Sequence, residues 1–202
     1  MLSYNQKQQL QALKDIFDIS GLCSTQTFIW GGMVIDIMEG CFLREHRDID
    51  CFTLNLLDVK EKMDRLFIQK GYSTDFVTEI DMYKVQKENC RVAFNRLEIQ
   101  NETAMWRHIG NQGTLYFPRT WLKDAPMIFY NSYVFVSGIE FEYAIKAKVN
   151  LLNPEWQLRE SDKFALEYFT DTLEKHHISP VSVLGSTWSD NPYWRNKGYK
   201  EY

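Results

Sequence analysis

The sequence predicts an α+β protein with a helical C-terminal region, and three observations carry that reading. Apolar residues recur at helical spacing over 3–19, 58–70 and 139–152, with a further helix from 153 toward 175. Short apolar or alternating runs mark strands at 28–30, 49–54, 78–100 and 128–136. Strand patterns stop near residue 137, which divides the 202 residues into a core domain, 1–137, and a helical region packed on it, 138–202.

The first helix opens at Ser3, a capping residue with Gln6 three positions on to complete a capping box. Leu10, Leu13, Ile16 and Phe17 form its buried stripe, and Gly21 ends it. Phe28 to Trp30 then read as a strand entering a tight turn at Gly31-Gly32. The short apolar segment Met33 to Met38 is closed by Gly40, which suits a left-handed helix cap. After a charged loop, Asp48 heads the β-like run Ile49 to Leu54. Helix 58–70 is capped by Asp58, buries Val59, Met63, Leu66 and Phe67, and stops at Gly71. A hairpin follows, with arms at Thr78 to Gln86 and Cys90 to Gln100 and a turn at Lys87-Glu88-Asn89. Residues 101–127 show no clean periodicity; their aromatic-rich runs read equally as acceptor-pocket lining and as packing. The strand at 128–136 precedes helix 139–152, and Asn153-Pro154 marks the N-cap and first position of the last helix. The stretch from His176 to Tyr202, rich in Ser, Trp, Tyr and Asn, reads as a flap or a frayed tail.

Bulk properties exclude some function classes. Hydrophobic residues at 45% and charged residues at 25% are ordinary for a globular chain. A net charge of -4 gives no basic footprint, so a general nucleic-acid partner is not favoured, although a local basic patch stays open. The four cysteines have no Cys-x-x-Cys spacing and do not cluster with the four histidines, which speaks against zinc and for a reducing compartment. The N-terminus has no signal-peptide core and no 18-residue apolar run occurs, so a cytoplasmic protein with no membrane partner is expected.

Chemistry concentrates in residues 28–53. Side chains at i and i+2 of a strand share a face, so Asp48 and Asp50 project together, while Cys51 points into the core. Two carboxylates beside a glycine turn suit Mg²⁺ carrying phosphates, because that cation takes oxygen ligands. Arg44 and Arg47, in the loop before them, suit contact with a polyphosphate. Asp36 either bridges to the His46/Arg47 loop or lies on a solvent face.

Gly31-Gly32, a short helix carrying Asp36 and ending at Gly40, then Arg44-Glu45-His46-Arg47-Asp48-Ile49-Asp50 resembles the nucleotidyltransferase superfamily, above all the lincosamide and aminoglycoside 2''-O-nucleotidyltransferases. The resemblance implies a polymerase β-like fold, a mixed sheet flanked by helices. It implies that Gly31 and Gly32 hold a nucleoside triphosphate and that Asp48 and Asp50 bind Mg²⁺. It places His46 beside the metal, against the commoner fate of a loop histidine as a structural hydrogen-bonding group. A third carboxylate, as metal ligand or as base, falls in Leu97-Glu98-Ile99, where Glu98 stands for the family's usual aspartate. A surface role for Glu98 is the alternative, with Glu79 and Asp81 as spare candidates. The run from Tyr143 through Lys146 to Lys148, then Arg159-Glu-Ser-Asp162, is similar to the superfamily's lysine helix and following Arg-x-x-Asp. There the lysine approaches the triphosphate, and Lys148 fits better than Lys146.

The expected activity is Mg²⁺-dependent transfer of a nucleoside monophosphate, AMP from ATP first, to a hydroxyl of a small acceptor such as a lincosamide or aminoglycoside. The acceptor hydroxyl attacks the α-phosphorus directly and expels pyrophosphate, catalysed by positioning and charge neutralisation. Two alternatives keep the fold: a toxin-like member that modifies tRNA or protein, and a non-catalytic relative. The chain is expected to act as a monomer or a homodimer.

Overall fold

The structure, a computed structural model, describes residues 2–78, 81–107, 113–152 and 157–189. Helix α1 (Tyr4–Leu22) leads into β1 (Thr27–Trp30), α2 (Met33–Glu39) and β2 (Asp48–Leu54). Next come α3 (Leu56–Gln69), β3 (Ser73–Val77), β4 (Met82–Lys87), β5 (Cys90–Gln100), β6 (Thr103–Arg107) and β7 (Thr114–Pro118). A 3₁₀ turn (Arg119–Trp121), β8 (Met127–Phe129), β9 (Ser132–Val136), α4 (Ile139–Leu152), α5 (Glu160–Lys175), α6 (Pro180–Gly185) and β10 (Trp188–Ser189) complete it.

The strands form one mixed sheet in the order β10-β7-β6-β5-β2-β1-β9-β8, with β4 also on β5 and β3 on β4. Strand β5 forks the sheet. Its Arg91–Leu97 stretch runs parallel to β2, while its other edge carries β4 and then β6, both antiparallel. Strand β1 pairs antiparallel with β2 and parallel with β9.

The two faces of β2 feed two cores. Ile49 and Cys51 pack with Val92 and Phe94 of β5 beneath α1 and α3, which contribute Leu13, Ile16, Met63 and Phe67. Phe52 packs on the other face with Leu97, Phe117, Phe141, Ile145, Ala165 and Phe169, beneath α4 and α5. Because Asp48 and Asp50 share the parity of Phe52, they lie on the α4/α5 face at the edge of that second core.

Several expectations match the structure. The Ser3 hydroxyl accepts from Gln6 N–H at 3.1 Å and the Gln6 side chain accepts from Ser3 N–H at 2.9 Å, so the capping box forms. Gly40 caps α2 at φ +72°, and Cys51 is fully buried. Others are corrected. Helix α1 runs past Gly21 to Leu22, because glycine at φ < 0 costs a helix little near its end. Helix α3 begins at Leu56, two residues before Asp58, entered through Asn55 at φ +51°. The stretch 101–127 holds β6 and β7, whose inward residues Ala104, Trp106, Leu115 and Phe117 alternate in a ladder built on β5. The run 128–136 is a hairpin turned at Tyr130, whose φ is +51°. Strand β3 and helix α6 were not anticipated, and β10 returns a strand from the helical region to the sheet. Helix α5 starts at Glu160 instead of Pro154, since Asp162 accepts the Arg159 N–H at 3.2 Å and closes the helix end there. Asn153, Pro154 and the tail from 190 lie outside the described residues. Among the described residues no helix is long and apolar enough to cross a membrane.

Candidate functional site

Strand β1 ends at the turn where Gly31 takes φ +81°, a left-handed conformation that glycine adopts without strain. A Cβ at Gly31 would stand 3.5 Å from Asp50 Oδ2, and one at Gly32 would run into the Arg44 guanidinium. Gly31 is therefore required by its backbone, whereas a side chain at Gly32 would only push the flexible Arg44 guanidinium aside. From α4, the fully buried Glu142 reaches the same turn, and its Oε1 accepts the Gly31 N–H at 2.9 Å and the Ser137 hydroxyl. Burial pushes the Glu142 carboxyl up to about 7, against the Ser137 and Gly31 hydrogen bonds and the Lys146 charge.

Asp48 is exposed and Asp50 half-buried at the N-terminal end of β2, with Asp50 opposite Trp30 of β1. Burial and then the Asp48 charge push Asp50 up to about 7, while Lys146 and Arg159 pull the other way. Two carboxylates held close enough to oppose each other's ionisation fit a hard divalent cation, which would remove that repulsion and take their oxygens as ligands. The donor chemistry thus suits Mg²⁺ at Asp48 and Asp50.

The loop between α2 and β2 is fastened from inside. His46 Nε2 and Asp36 Oδ2 pair at 2.8 Å, both side chains buried, and Asp36 also accepts the Leu43 N–H at 3.2 Å. The His46 carbonyl accepts from Asn5 at 3.1 Å and Gln9 at 2.9 Å, and Ser3 donates to Glu45 at 2.7 Å, so α1 holds the loop's other side. Arg44 and Arg47 project from this fixed frame. Asp36 is thereby the bridging residue of the two readings, and His46 is a structural group that reaches the cavity wall through the pair.

On the opposite wall, Lys146 of α4 donates to Asp162 at 2.8 Å, and Arg159 grips the same carboxylate at 2.9 and 3.2 Å. Although burial opposes it, those hydrogen bonds hold Asp162 well below the usual carboxylate range. The Arg-x-x-Asp segment knits α4 to α5. The glycine turn, both aspartates, Arg44, Arg47, Lys146 and Arg159 share one cavity of about 450 Å³. Trp30, Trp106, Ile35, Ile145 and Phe164 form its apolar lining.

The structure thus brings together Gly31, Gly32, Arg44, Arg47, Asp48 and Asp50. It does not bring Glu98 or Lys148. In the β2–β5 register Asp48 stands beside Arg91 and Asp50 beside Ala93, so Glu98 lies five residues further on, roughly 16 Å at the usual strand rise. Its parity is that of Val92 and Phe94, on the other face of the sheet, and its carboxylate pairs with Arg96. Asp81, the spare candidate, pairs with the same Arg96 at 2.9 Å, and Glu79 lies outside the described residues. Among the described residues no group of three or more His, Cys, Asp or Glu side chains is placed to hold a metal ion. Lys148 is buried on the far side of α4, donating to the Leu184 carbonyl at 2.5 Å and to Thr187 at 3.3 Å, which makes Lys146 the lysine of the site. Glu142 went unnoticed in the sequence; the available signal was its i, i+4 spacing from Lys146, which stacks both on one helix face.

The sequence model of the aminoglycoside-2''-adenylyltransferase family matches residues 12–134. No curated protein sequence matches the chain. Among solved structures, the solution structure of the antibiotic-resistance factor ANT(2'')-Ia superposes with a TM-score of 0.67 at 13% identity, covering 88% of this chain and 89% of that one. The lincosamide antibiotic adenylyltransferase LnuA, lincomycin-bound, gives 0.58 at 16% identity over 81% and 95%. ANT(2'')-Ia in complex with adenylyl-2''-tobramycin gives 0.58 at 15% identity over 84% and 99%. These likenesses agree on the nucleotidyltransferase fold.

Proposed function

Since the chain belongs to the aminoglycoside-2''-adenylyltransferase family and is a nucleotidyltransferase, we propose that it moves AMP from ATP onto a hydroxyl of a small molecule, with Mg²⁺ held by Asp48 and Asp50. The observation that carries this reading is the single cavity that joins the aspartate pair, the glycine turn and four cationic side chains. Arg44 and Arg47 on one wall and Lys146 and Arg159 on the other suit the triphosphate, whose charge they offset. The Gly31 N–H is taken by Glu142, which leaves the Gly32 amide to face a phosphate oxygen. Mg²⁺, when bound, neutralises charge on the phosphates and their leaving group.

The acceptor hydroxyl oxygen attacks the α-phosphorus as the bond to the bridging oxygen breaks, and pyrophosphate leaves. With Ala93 and Arg91 beside the pair on β5 and both aspartates holding the cation, the hydroxyl's proton passes to solvent at the exposed Asp48 end of the site. The names of the family and of its structural neighbours make an aminoglycoside or lincosamide hydroxyl the first acceptor to try. A cytoplasmic setting fits the four free cysteines and the supply of ATP.

One observation favours a second reading. No carboxylate on β5 faces the pair, which suits a protein that binds nucleotide without turnover. Calorimetric titration of ATP, then GTP, with Mg²⁺ into wild type and Asp50→Asn tests the donor site. Pyrophosphate release with tobramycin and with lincomycin then separates the two readings. Nucleotide binding that ignores both Mg²⁺ and Asp50 would sink the metal assignment.

A further inference from the structure

Glu142 spends a fully buried carboxylate on two hydrogen bonds, from the Gly31 N–H and the Ser137 hydroxyl, both to Oε1. Its Oε2 is buried with no hydrogen-bond partner. Burying an acid is costly, so the carboxyl earns its place through what it holds. Three contacts converge there. Ser137, just before α4, donates its own N–H to the Ile29 carbonyl of β1 at 2.9 Å, so the start of α4 is tied to the strand that enters the turn. Gly31 is the left-handed residue of that turn and lies against Asp50. Lys146 stands one helical turn beyond Glu142, on the same face of α4, and carries the bridge to Asp162 and hence to Arg159.

We infer that Glu142 is the positioning residue of this site: by accepting the Gly31 N–H it sets where α4 stands against the glycine turn, and therefore where Lys146 and Arg159 meet the cavity. The inference rests on reading that cavity as the nucleotide donor site. Glu142 does not touch the nucleotide; it acts through the turn on one side and through Lys146 on the other. Sequence neighbours on α4 cannot substitute, because Tyr143 and Phe141 leave the helix at other angles and Phe141 is committed to the core.

The test compares Glu142→Gln, which keeps an acceptor oxygen, with Glu142→Met, which keeps length and volume but no acceptor. Mg²⁺·ATP affinity is measured by calorimetry, alone and combined with Lys146→Met. The Gln protein is expected to bind within about threefold of wild type and the Met protein about tenfold more weakly, the scale of one hydrogen bond to a charged group. The double variant Glu142→Met/Lys146→Met is expected to bind more weakly than Lys146→Met alone by clearly less than the tenfold that Glu142→Met costs in wild type, since the Lys146 part of the placement is already lost. Multiplicative losses, or a Met protein that binds like wild type, would overturn the inference. Amide hydrogen exchange of residues 29–34 is followed without nucleotide in the same variants. Faster exchange in Met but not in Gln is expected, and equal protection in all three overturns the inference even where no nucleotide binds. Wild type that binds no nucleotide, with exchange as expected, faults the donor reading and leaves the Glu142–turn linkage standing.

Discussion

His46 and Asp36 pair at 2.8 Å inside the protein, ten residues apart in sequence, and the loop between them carries Arg44 out to the cavity. The helix α2 end and the loop are thereby one rigid unit, with Arg47 and Asp48 directly after it. The position of the cavity's two arginines, Arg44 and Arg47, is set by a buried pair rather than by the arginines' own contacts.

Breaking that pair should cost both stability and donor affinity. Asp36→Ala leaves the His46 ring and the Leu43 N–H without their acceptor in a buried place, and a loss of about 3 kcal/mol is expected. Chemical denaturation measures it. Mg²⁺·ATP affinity should fall alongside, and an Asp36→Ala protein with wild-type affinity would show that the arginines do not need the frame.

The two lysines of α4 should separate cleanly. Lys146→Met removes a cation from the cavity wall and should weaken nucleotide binding by about tenfold or more, the scale of a charge-assisted contact. Lys148→Met should leave nucleotide affinity in place and lower the thermal midpoint, because Lys148 holds the end of α6 through Leu184 and Thr187. Burial already pushes the Lys148 ammonium down to about 8, so the folded state keeps it charged less firmly than the unfolded chain does. A reversed pattern would restore Lys148 to the site.

The aspartate pair should make stability depend on pH when divalent cations are removed. Burial, and then the Asp48 charge, pushes Asp50 from its ordinary 3.8 up to about 7, and burial pushes Glu142 from 4.5 up to about 7. Carboxyls raised on folding are protonated more readily in the folded state, so protons favour folding between those limits. Stability in chelator is expected to rise as pH falls from about 7 toward 5 and to be lowest above 7. Asp50→Asn should remove the Asp50 share of this profile, leave the Glu142 share, and raise stability at pH 8. Added Mg²⁺ should raise the midpoint of wild type at pH 8 and not that of Asp50→Asn, as differential scanning calorimetry would show.

The local signals were legible and the long-range ones were not. Ser3 with Gln6, Gly40 after an apolar run, and the period-2 spacing of Asp48 and Asp50 each state their own geometry, and the structure reproduces it. The Gly31-Gly32 turn and Asp-x-Asp segment were enough to point to the family. What failed was register. Leu97-Glu98-Ile99 shows alternation, but only the pairing of β5 with β2, 43 residues apart in sequence, decides which residue stands beside Asp50. Strands β6 and β7 were missed for the same reason: five-residue strands of mixed polarity are stabilised by the ladder they join. The choice between Lys146 and Lys148 turned on helix rotation, which α5 and α6 fix from outside α4.

That register leads to the sharpest prediction. Asp50 stands beside Ala93 on a parallel neighbour, with strands about 4.8 Å apart, so a carboxylate placed at 93 would face the same point as Asp50. Glu98 sits on the other face with Arg96. Glu98→Gln should therefore leave Mg²⁺·ATP binding and any transfer activity unchanged, with only the modest stability change of a half-exposed ion pair. Ala93→Asp should tighten Mg²⁺ binding in the presence of ATP, because it adds a third oxygen donor where the fold offers two. In the absence of cation the same variant should be less stable than wild type at pH 8, since a third like charge joins the pair. Manganese binding, followed by electron paramagnetic resonance, measures the gain directly. Should Glu98→Gln abolish metal binding while Ala93→Asp changes nothing, the strand register that underlies this site would have to be redrawn.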